Sequence, residues 1–275
     1  MVFTKEQTSD LHEQRFAYLE VEDKDNVLYI TLNRPKQRNA LNEVIARELA
    51  YALAYAKHFN HIWAVVIAAN GPTFCAGADL KTFMGEKDTN SGSSIPEEKG
   101  KIILGDLFNN LHKPCIAKVA KPVYAGGFLI LAGCTHVYAA KEDATFGLSE
   151  VKRGLWPFQV MASLLKVMPA RKALDWCIQG KVLDAKDAYK TGLVTEVVDA
   201  DKLDEAVAEL VKSICKNSPT AIRLGLKAYQ DMQEVDDADL HKFLYKRLME
   251  AVGTKDAMAG MNAFRKKERP IWTGE

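Results

Sequence analysis

At 275 residues the chain can bury a substantial core, enough for one large domain or one domain with a helical extension. Its composition, 48% hydrophobic and 27% charged, is that of an ordinary globular protein, and a formal net charge of +1 excludes a general attraction to nucleic acid or anionic membrane. Any basic site must be local. No window approaches the roughly 18 apolar residues of a membrane span, and the polar, mixed-charge Met1–Arg15 lacks the apolar stretch of a secretory signal. Cys75, Cys115, Cys134, Cys177 and Cys215 sit mostly in apolar runs without paired spacing, so reduced core thiols in a cytoplasmic compartment are expected rather than a disulfide or metal framework.

In chain order, residues 16–21 and 27–33 read as strands around a turn at Asp23–Asn26. Residues 39–59 carry apolar positions at helical spacing, with Asn42 or Asn39 as the start signal. Ala64–Ala69 is an apolar strand, so strand, helix and strand imply a right-handed crossover and a mainly parallel sheet. Residues 85–100 shift to Gly, Ser and charged residues, the composition of a mobile loop that either covers a substrate or is merely surface. A short helix is expected over 101–111, strands over 115–120 and 136–140, helices over 160–167, 170–179 and 185–191, and a strand over 193–198. From 201 onward the pattern is helical: 201–216, 219–232, 237–252 and 255–267. The division expected is an N-terminal extension (1–15), a core domain (16–200) and a C-terminal helical region (201–275).

Two stretches carry chemistry. In Ala125-Gly126-Gly127 a glycine pair ends a turn and opens the apolar run Phe128–Ala132, leaving backbone N–H groups uncovered at the positive end of a helix. Such an end accepts an anion. After the Ala64–Ala69 strand and the turn Asn70-Gly71-Pro72, the segment Phe74-Cys75-Ala76-Gly77-Ala78-Asp79 repeats the arrangement. N–H donors from the two loops could converge on one oxygen as an oxyanion hole, or the glycines could simply permit tight helix–strand packing. The histidines show no metal-ligand spacing.

Asn33-Arg34-Pro35 with Asn39-Ala40-Leu41, the Phe74–Asp79 segment, Ala125-Gly126-Gly127, Phe146-Gly147-Leu148-Ser149-Glu150 and Gly192-Leu193-Val194 stand in an order that resembles the crotonase (enoyl-CoA hydratase/isomerase) superfamily, from about residue 16 to the C-terminus. The resemblance implies an α/β fold, a coiled sheet core of strand-turn-helix units with a C-terminal trimerisation region, assembled as a homotrimer or a dimer of trimers. It implies an acyl-CoA thioester substrate, no cofactor beyond the coenzyme A of that substrate, and an oxyanion hole made by the N–H groups of Ala78 and Gly127. Glu150 matches a catalytic position; at the edge of an apolar pocket its pKa should rise toward acid–base use, although a helix-start glutamate would look the same. For the substrate, the resemblance assigns Arg38 and Ala40, with Ala76, Asp79, Leu80 and Lys81, to the coenzyme A site, and Phe264 and Lys267 to a neighbouring subunit's nucleotide, although a lysine-rich helix end also complements the helix dipole; Tyr124, two residues before Gly126, could line the acyl pocket or simply pack in the core.

Departures from the family pattern bear on the reaction. Ile130 stands where hydratases carry a second glutamate, and Phe158, after Trp156-Pro157, stands where a glycine usually makes room for water; Phe158 is expected to fill that space. One glutamate suits moving a proton between two carbons, so double-bond isomerisation is favoured over hydration. Lys121-Pro122 should stiffen the turn before the glycine pair, and His136 replaces a common aspartate. Two alternatives remain: a dehydratase or decarboxylase acting on a branched acyl chain bound to an acyl carrier protein, suggested by Leu155-Trp156-Pro157, and a crotonase-fold binding protein without activity.

Overall fold

The computed structural model describes residues 2–86, 88, 91–97 and 102–275. Strands β1 (Leu19–Lys24) and β2 (Val27–Leu32) pair antiparallel around Asp25 and Asn26, whose φ angles are 51° and 65°. Positive φ at both central residues gives the primed turn that matches strand twist, and Asp and Asn tolerate it. The hairpin is therefore tighter than the turn expected at Asp23–Asn26. Helix α1 (Glu43–His58) begins where the Asn42 side chain accepts the Ile45 N–H. Asn39 lies outside it: with φ 54° its side chain accepts from Arg34 N and donates to the carbonyls of Asn70 and Thr73. This fully buried amide ties the Asn33–Leu41 segment to the turn after the next strand.

The chain continues through β3 (Ala64–Ala69), α2 (Leu80–Phe83), β4 (Cys115–Val119), β5 (Val123–Tyr124), α3 (Phe128–Leu131), β6 (His136–Ala140), β7 (Thr145–Gly147), α4 (Phe158–Leu164), α5 (Ala170–Gln179), β8 (Val182–Asp184), α6 (Ala185–Lys190) and β9 (Glu196–Val198). Helices α7 (Leu203–Cys215), α8 (Pro219–Asp231), α9 (Asp237–Val252) and α10 (Lys255–Lys266) follow. The larger sheet has the order β1-β2-β3-β4-β6-β9 and is parallel from β2 onward. A smaller sheet, β5-β7-β8, was not foreseen, because strands of two or three residues carry no readable alternation. The apolar face of α1, including Ile45, Leu49, Tyr51 and Leu53, is wholly buried in the main core together with Ile30, Ile67 and Phe146.

Some expectations are corrected. In place of a helix over 101–111 there is a 3-10 turn at Leu104–Asp106, and turns bonded Asn109 N to Asp106 O and Leu111 N to Phe108 O follow it; Gly105, Asn109 and Asn110 are poor helix formers, and residue 101 lies outside the described residues. The last core strand starts at Glu196 rather than Leu193, and α4 starts at Phe158. Within residues 2–15, Phe3 and Leu11 are buried, and the Phe3 ring meets the Tyr51 ring edge-on at 5.2 Å. Much of the loop expected over 85–100 lies outside the described residues. No helix among the described residues is long and apolar enough to cross a membrane. The five cysteines are free thiols.

Candidate active site

The small sheet brings three loops side by side. Cys75 bridges to Val123 on β5, with Tyr124 N donating to Cys75 O at 2.8 Å and Phe74 N to Pro122 O at 2.9 Å. Strand β5 pairs in parallel with β7, Tyr124 opposite Gly147, and the Tyr124 ring lies so close over Gly147 that a Cβ there would stand 2.6 Å from its Cδ1. The segments that follow these strands are Ala76–Asp79, Ala125–Gly127 and Leu148–Glu150, which hold the residues singled out from the sequence.

The first loop is zipped to the Arg38–Leu41 segment by three backbone hydrogen bonds: Ala76 N to Arg38 O (3.0 Å), Leu41 N to Gly77 O (2.7 Å) and Asp79 N to Leu41 O (2.8 Å). Arg34 locks the zipper, donating from Nη1 to Asp79 Oδ2 at 2.6 Å and to Ala40 O at 3.2 Å, its guanidinium over the Tyr18 ring at 4.9 Å. The pair is nearly buried, at 11% and 13% side-chain exposure. Burial pushes the Asp79 carboxyl up, but the Arg34 guanidinium and the Lys81 N–H outweigh it and hold the pKa below the usual carboxylate range. In the sequence Arg34 is only part of a motif; the structure gives it an interior role that only contact across 45 residues of chain could disclose. Removing one partner of such a pair strands a charge, so Arg34→Ala is expected to cost about 3 kcal/mol of stability. Denaturant titration checks this, with Arg34→Lys, a point charge without the fork, recovering only part.

Gly77, at φ +92°, presses on the second loop: a Cβ there would stand 2.7 Å from Ala125 Cβ and 3.2 Å from Gly126 N. A Cβ on Gly126 would in turn stand 3.4 Å from Ala78 N. The two loops are thus in direct contact. The Ala78 N–H has no acceptor among the described residues, whereas its neighbour Asp79 N is bonded to Leu41 O. Ala78 is exposed and Gly127 is buried. Cys75, buried beneath the loop, accepts the Gly77 N–H on Sγ at 3.4 Å, and burial pushes its thiol up to about 12, so it serves as a packing residue.

Glu150 opens a 3-10 turn, Glu150–Arg153, and is half-buried. Its Oε2 is buried without a hydrogen-bond partner among the described residues. Burial raises its pKa above the ordinary value, offset in part by its own backbone N–H and by Arg153. Burial pushes the Cys177 thiol on α5 up, and the nearby Glu150 charge adds to the rise. An unpartnered carboxylate oxygen in a partly dry setting is free to take a proton from a bound molecule.

The enoyl-CoA hydratase/isomerase family profile matches residues 22–275. The chain is 32% identical over 255 residues to an enoyl-CoA hydratase of Mycobacterium tuberculosis, covering 91% of this chain and 94% of the relative. The chain belongs to the enoyl-CoA hydratase/isomerase family. Another relative, mevalonyl-coenzyme A hydratase of Aspergillus fumigatus, is 30% identical over 253 residues, covering 90% and 91%. The crystal structure of an enoyl-CoA hydratase from Mycobacterium tuberculosis superposes with a TM-score of 0.82 at 29% identity, covering 94% of this chain and all of the other. The crotonase-like α/β fold is therefore established, and the chain is an enzyme of the hydratase/isomerase type.

Of the residues assigned by resemblance, Arg38, Ala40, Ala76, Asp79, Leu80 and Lys81 fall together along the zipped loop, with Arg38 at φ 51° and Leu80 exposed. Ile130 is fully buried in α3. Phe158 differs from expectation: its side chain is 70% exposed at the start of α4, so within a single chain it fills no interior space. The packing nearby comes from Trp156, which is partly buried against the core and donates from Nε1 to Met161 Sδ at 3.4 Å. Phe264 is 87% exposed on α10, and Lys267 caps that helix in the left-handed conformation. Lys121 pairs with Asp143 at the surface, and His136 is partly buried with Nδ1 2.9 Å from the Thr135 hydroxyl. Among the described residues no group of three or more His, Cys, Asp and Glu could hold a metal.

Proposed function

We propose that the enzyme shifts a double bond along an acyl-CoA thioester, with Glu150 as the acid–base and the N–H groups of Ala78 and Gly127 holding the thioester oxygen. The reading rests on Glu150, a carboxylate with one buried, unpartnered oxygen, while the place of a second glutamate is taken by the wholly buried Ile130. Glu150 takes the proton from the carbon next to the thioester carbonyl, the charge spreads to the carbonyl oxygen, and the same carboxylic acid returns the proton two carbons further along. No redox change occurs, so no cofactor is needed beyond the coenzyme A of the substrate. The contact between the Gly77 and Gly126 loops and the unbonded Ala78 N–H support the oxyanion hole.

The assembly that goes with this reading is a trimer or a dimer of trimers. Exposed Leu248, Met249, Met261 and Phe264 on α9 and α10 offer an apolar face, and Phe264 and Lys267 would reach a neighbour's nucleotide.

The relatives favour a second reading. Most of them are named as hydratases, mevalonyl-coenzyme A hydratase among them. A direct test offers the enzyme a 3-enoyl-CoA and a 2-enoyl-CoA. Appearance of conjugated thioester from the first, with deuterium carried from the second carbon to the fourth, is the expected outcome. Faster loss of conjugation from the second substrate, with water incorporated, makes the enzyme a hydratase.

The pH profile follows from burial of Glu150. The ionised form is the base, and its pKa is raised, so kcat/KM should fall on acidification through a limb lying above the ordinary glutamate value of 4.5. A limb at or below that value would assign it to another group.

A further inference from the structure

Cys115 and Cys134 are buried side by side, Sγ to Sγ at 3.5 Å, and neither belongs to the site described above. Cys115 opens β4, and Cys134 closes the turn after α3, its N–H bonded to Leu131 O at 3.0 Å. The backbones around them are pinned together: Thr135 N donates to Cys115 O at 2.8 Å, and Cys115 N donates to the Thr135 hydroxyl at 3.0 Å. Two thiols on adjoining strand ends, already in van der Waals contact, need only a side-chain rotation and a small backbone shift to reach the roughly 2.05 Å of a disulfide. Gly133 sits beneath the Phe108 ring so tightly that a Cβ would stand 2.3 Å from it. On the other side of Gly133 lies α3, a single turn that starts directly after Gly127.

We propose that Cys115 and Cys134 form a reversible disulfide on exposure to hydrogen peroxide, and that closing it slows turnover by displacing the helix that carries the Gly127 amide. The chemistry balances with peroxide as the oxidant. The Cys115 sulfur, as thiolate, attacks a peroxide oxygen and becomes a sulfenic acid with release of hydroxide; the Cys134 thiol then attacks the sulfenic sulfur, and its proton leaves with the sulfenic oxygen as water. Two thiols and one peroxide give one disulfide and two waters. A dithiol reductant reverses the bond. The hydrogen bond that the Cys134 S–H donates to Cys115 Sγ, together with burial, holds the Cys134 thiol well above the usual thiol range, so Cys134 stays protonated at rest.

The test treats the full chain with excess peroxide and reads intact mass, peptide map and turnover. The expected result is loss of two hydrogens per chain, a peptide linking Cys115 to Cys134, and a fall in kcat of up to about a hundredfold that a dithiol restores, as a displacement on the ångström scale in a catalytic loop would give. Cys115→Ser and Cys115→Ala, each checked for native circular dichroism, should keep their turnover under the same treatment. Oxygen gain on either cysteine without a link, a link between other cysteines, or a link without loss of turnover each overturns the proposal. The turnover arm rests on the function proposed above and the mass arm does not, so an enzyme inactive on every thioester before oxidation counts against that function alone.

Discussion

Glu150→Gln is expected to lower turnover of an enoyl-CoA by about a thousandfold, the scale of a lost general acid–base, while leaving coenzyme A affinity within a few-fold. The same substitution should raise the melting temperature. The Glu150 pKa is raised on folding, above the ordinary 4.5, because burial disfavours the charged form. Ionisation therefore favours the unfolded chain, and stability falls as pH rises from the ordinary value through the folded one. Neutral glutamine carries no such penalty at pH 7. Steady-state kinetics, ligand titration and a thermal scan at pH 7 and at pH 4 check the pattern, with the stability gain present at the first pH and smaller at the second. Unchanged turnover removes Glu150 from the mechanism. A large loss of coenzyme A binding would make the residue a structural support instead.

Gly77→Ala should be the most damaging small substitution in the loops. Its φ of +92° is one that residues with a side chain rarely adopt, and the added Cβ would press to 2.7 Å from Ala125 Cβ and 3.2 Å from Gly126 N. One of the two loops must retreat, and with it one of the proposed oxyanion donors. The expected fall in kcat is about a hundredfold, comparable to deleting one donor from such a hole, with at least about 1 kcal/mol lost from stability through the backbone strain. Gly71→Ala is the control. It has the same φ of +92° and an equally severe clash, 2.6 Å to Pro35 Cβ, but touches neither Ala125 nor Gly126. It should lose similar stability and keep most of its turnover. Equal loss of turnover in both variants would mean that strain alone, rather than the apposition of the loops, accounts for the effect.

Much of the fold was legible because burial leaves a periodic trace along one segment. Ala64–Ala69 and His136–Ala140 read as strands from their apolar content, and Ala170–Gln179 and Asp237–Val252 as helices from spacing alone; the structure has these bounds. The start of α1 was narrowed to two asparagines, and only contacts separated them, since Asn39 is occupied by Asn70 and Thr73 across the chain while Asn42 is free to cap. Residues 101–111 misled because Ile102, Ile103, Leu107 and Leu111 fit a helical stripe, while the glycine and asparagines among them favour turns.

By itself the sequence determined the elements of the main sheet, the two glycine loops as places where backbone N–H groups are bare, and Glu150 as the carboxylate that stands near them in a family pattern. Tertiary structure alone decided how these meet. Strands β5, β7 and β8 are too short to leave a pattern, yet their pairing sets the Gly126–Gly127 loop beside both the Ala76–Asp79 loop and the Glu150 turn. The partner of Asp79, the exposure of Phe158 and the contact of Cys115 with Cys134 likewise belong to the folded chain. The reason is physical: a hydrophobic period records whether a segment faces the core, whereas the neighbour a charge, ring or thiol finds there depends on loop closures among distant segments.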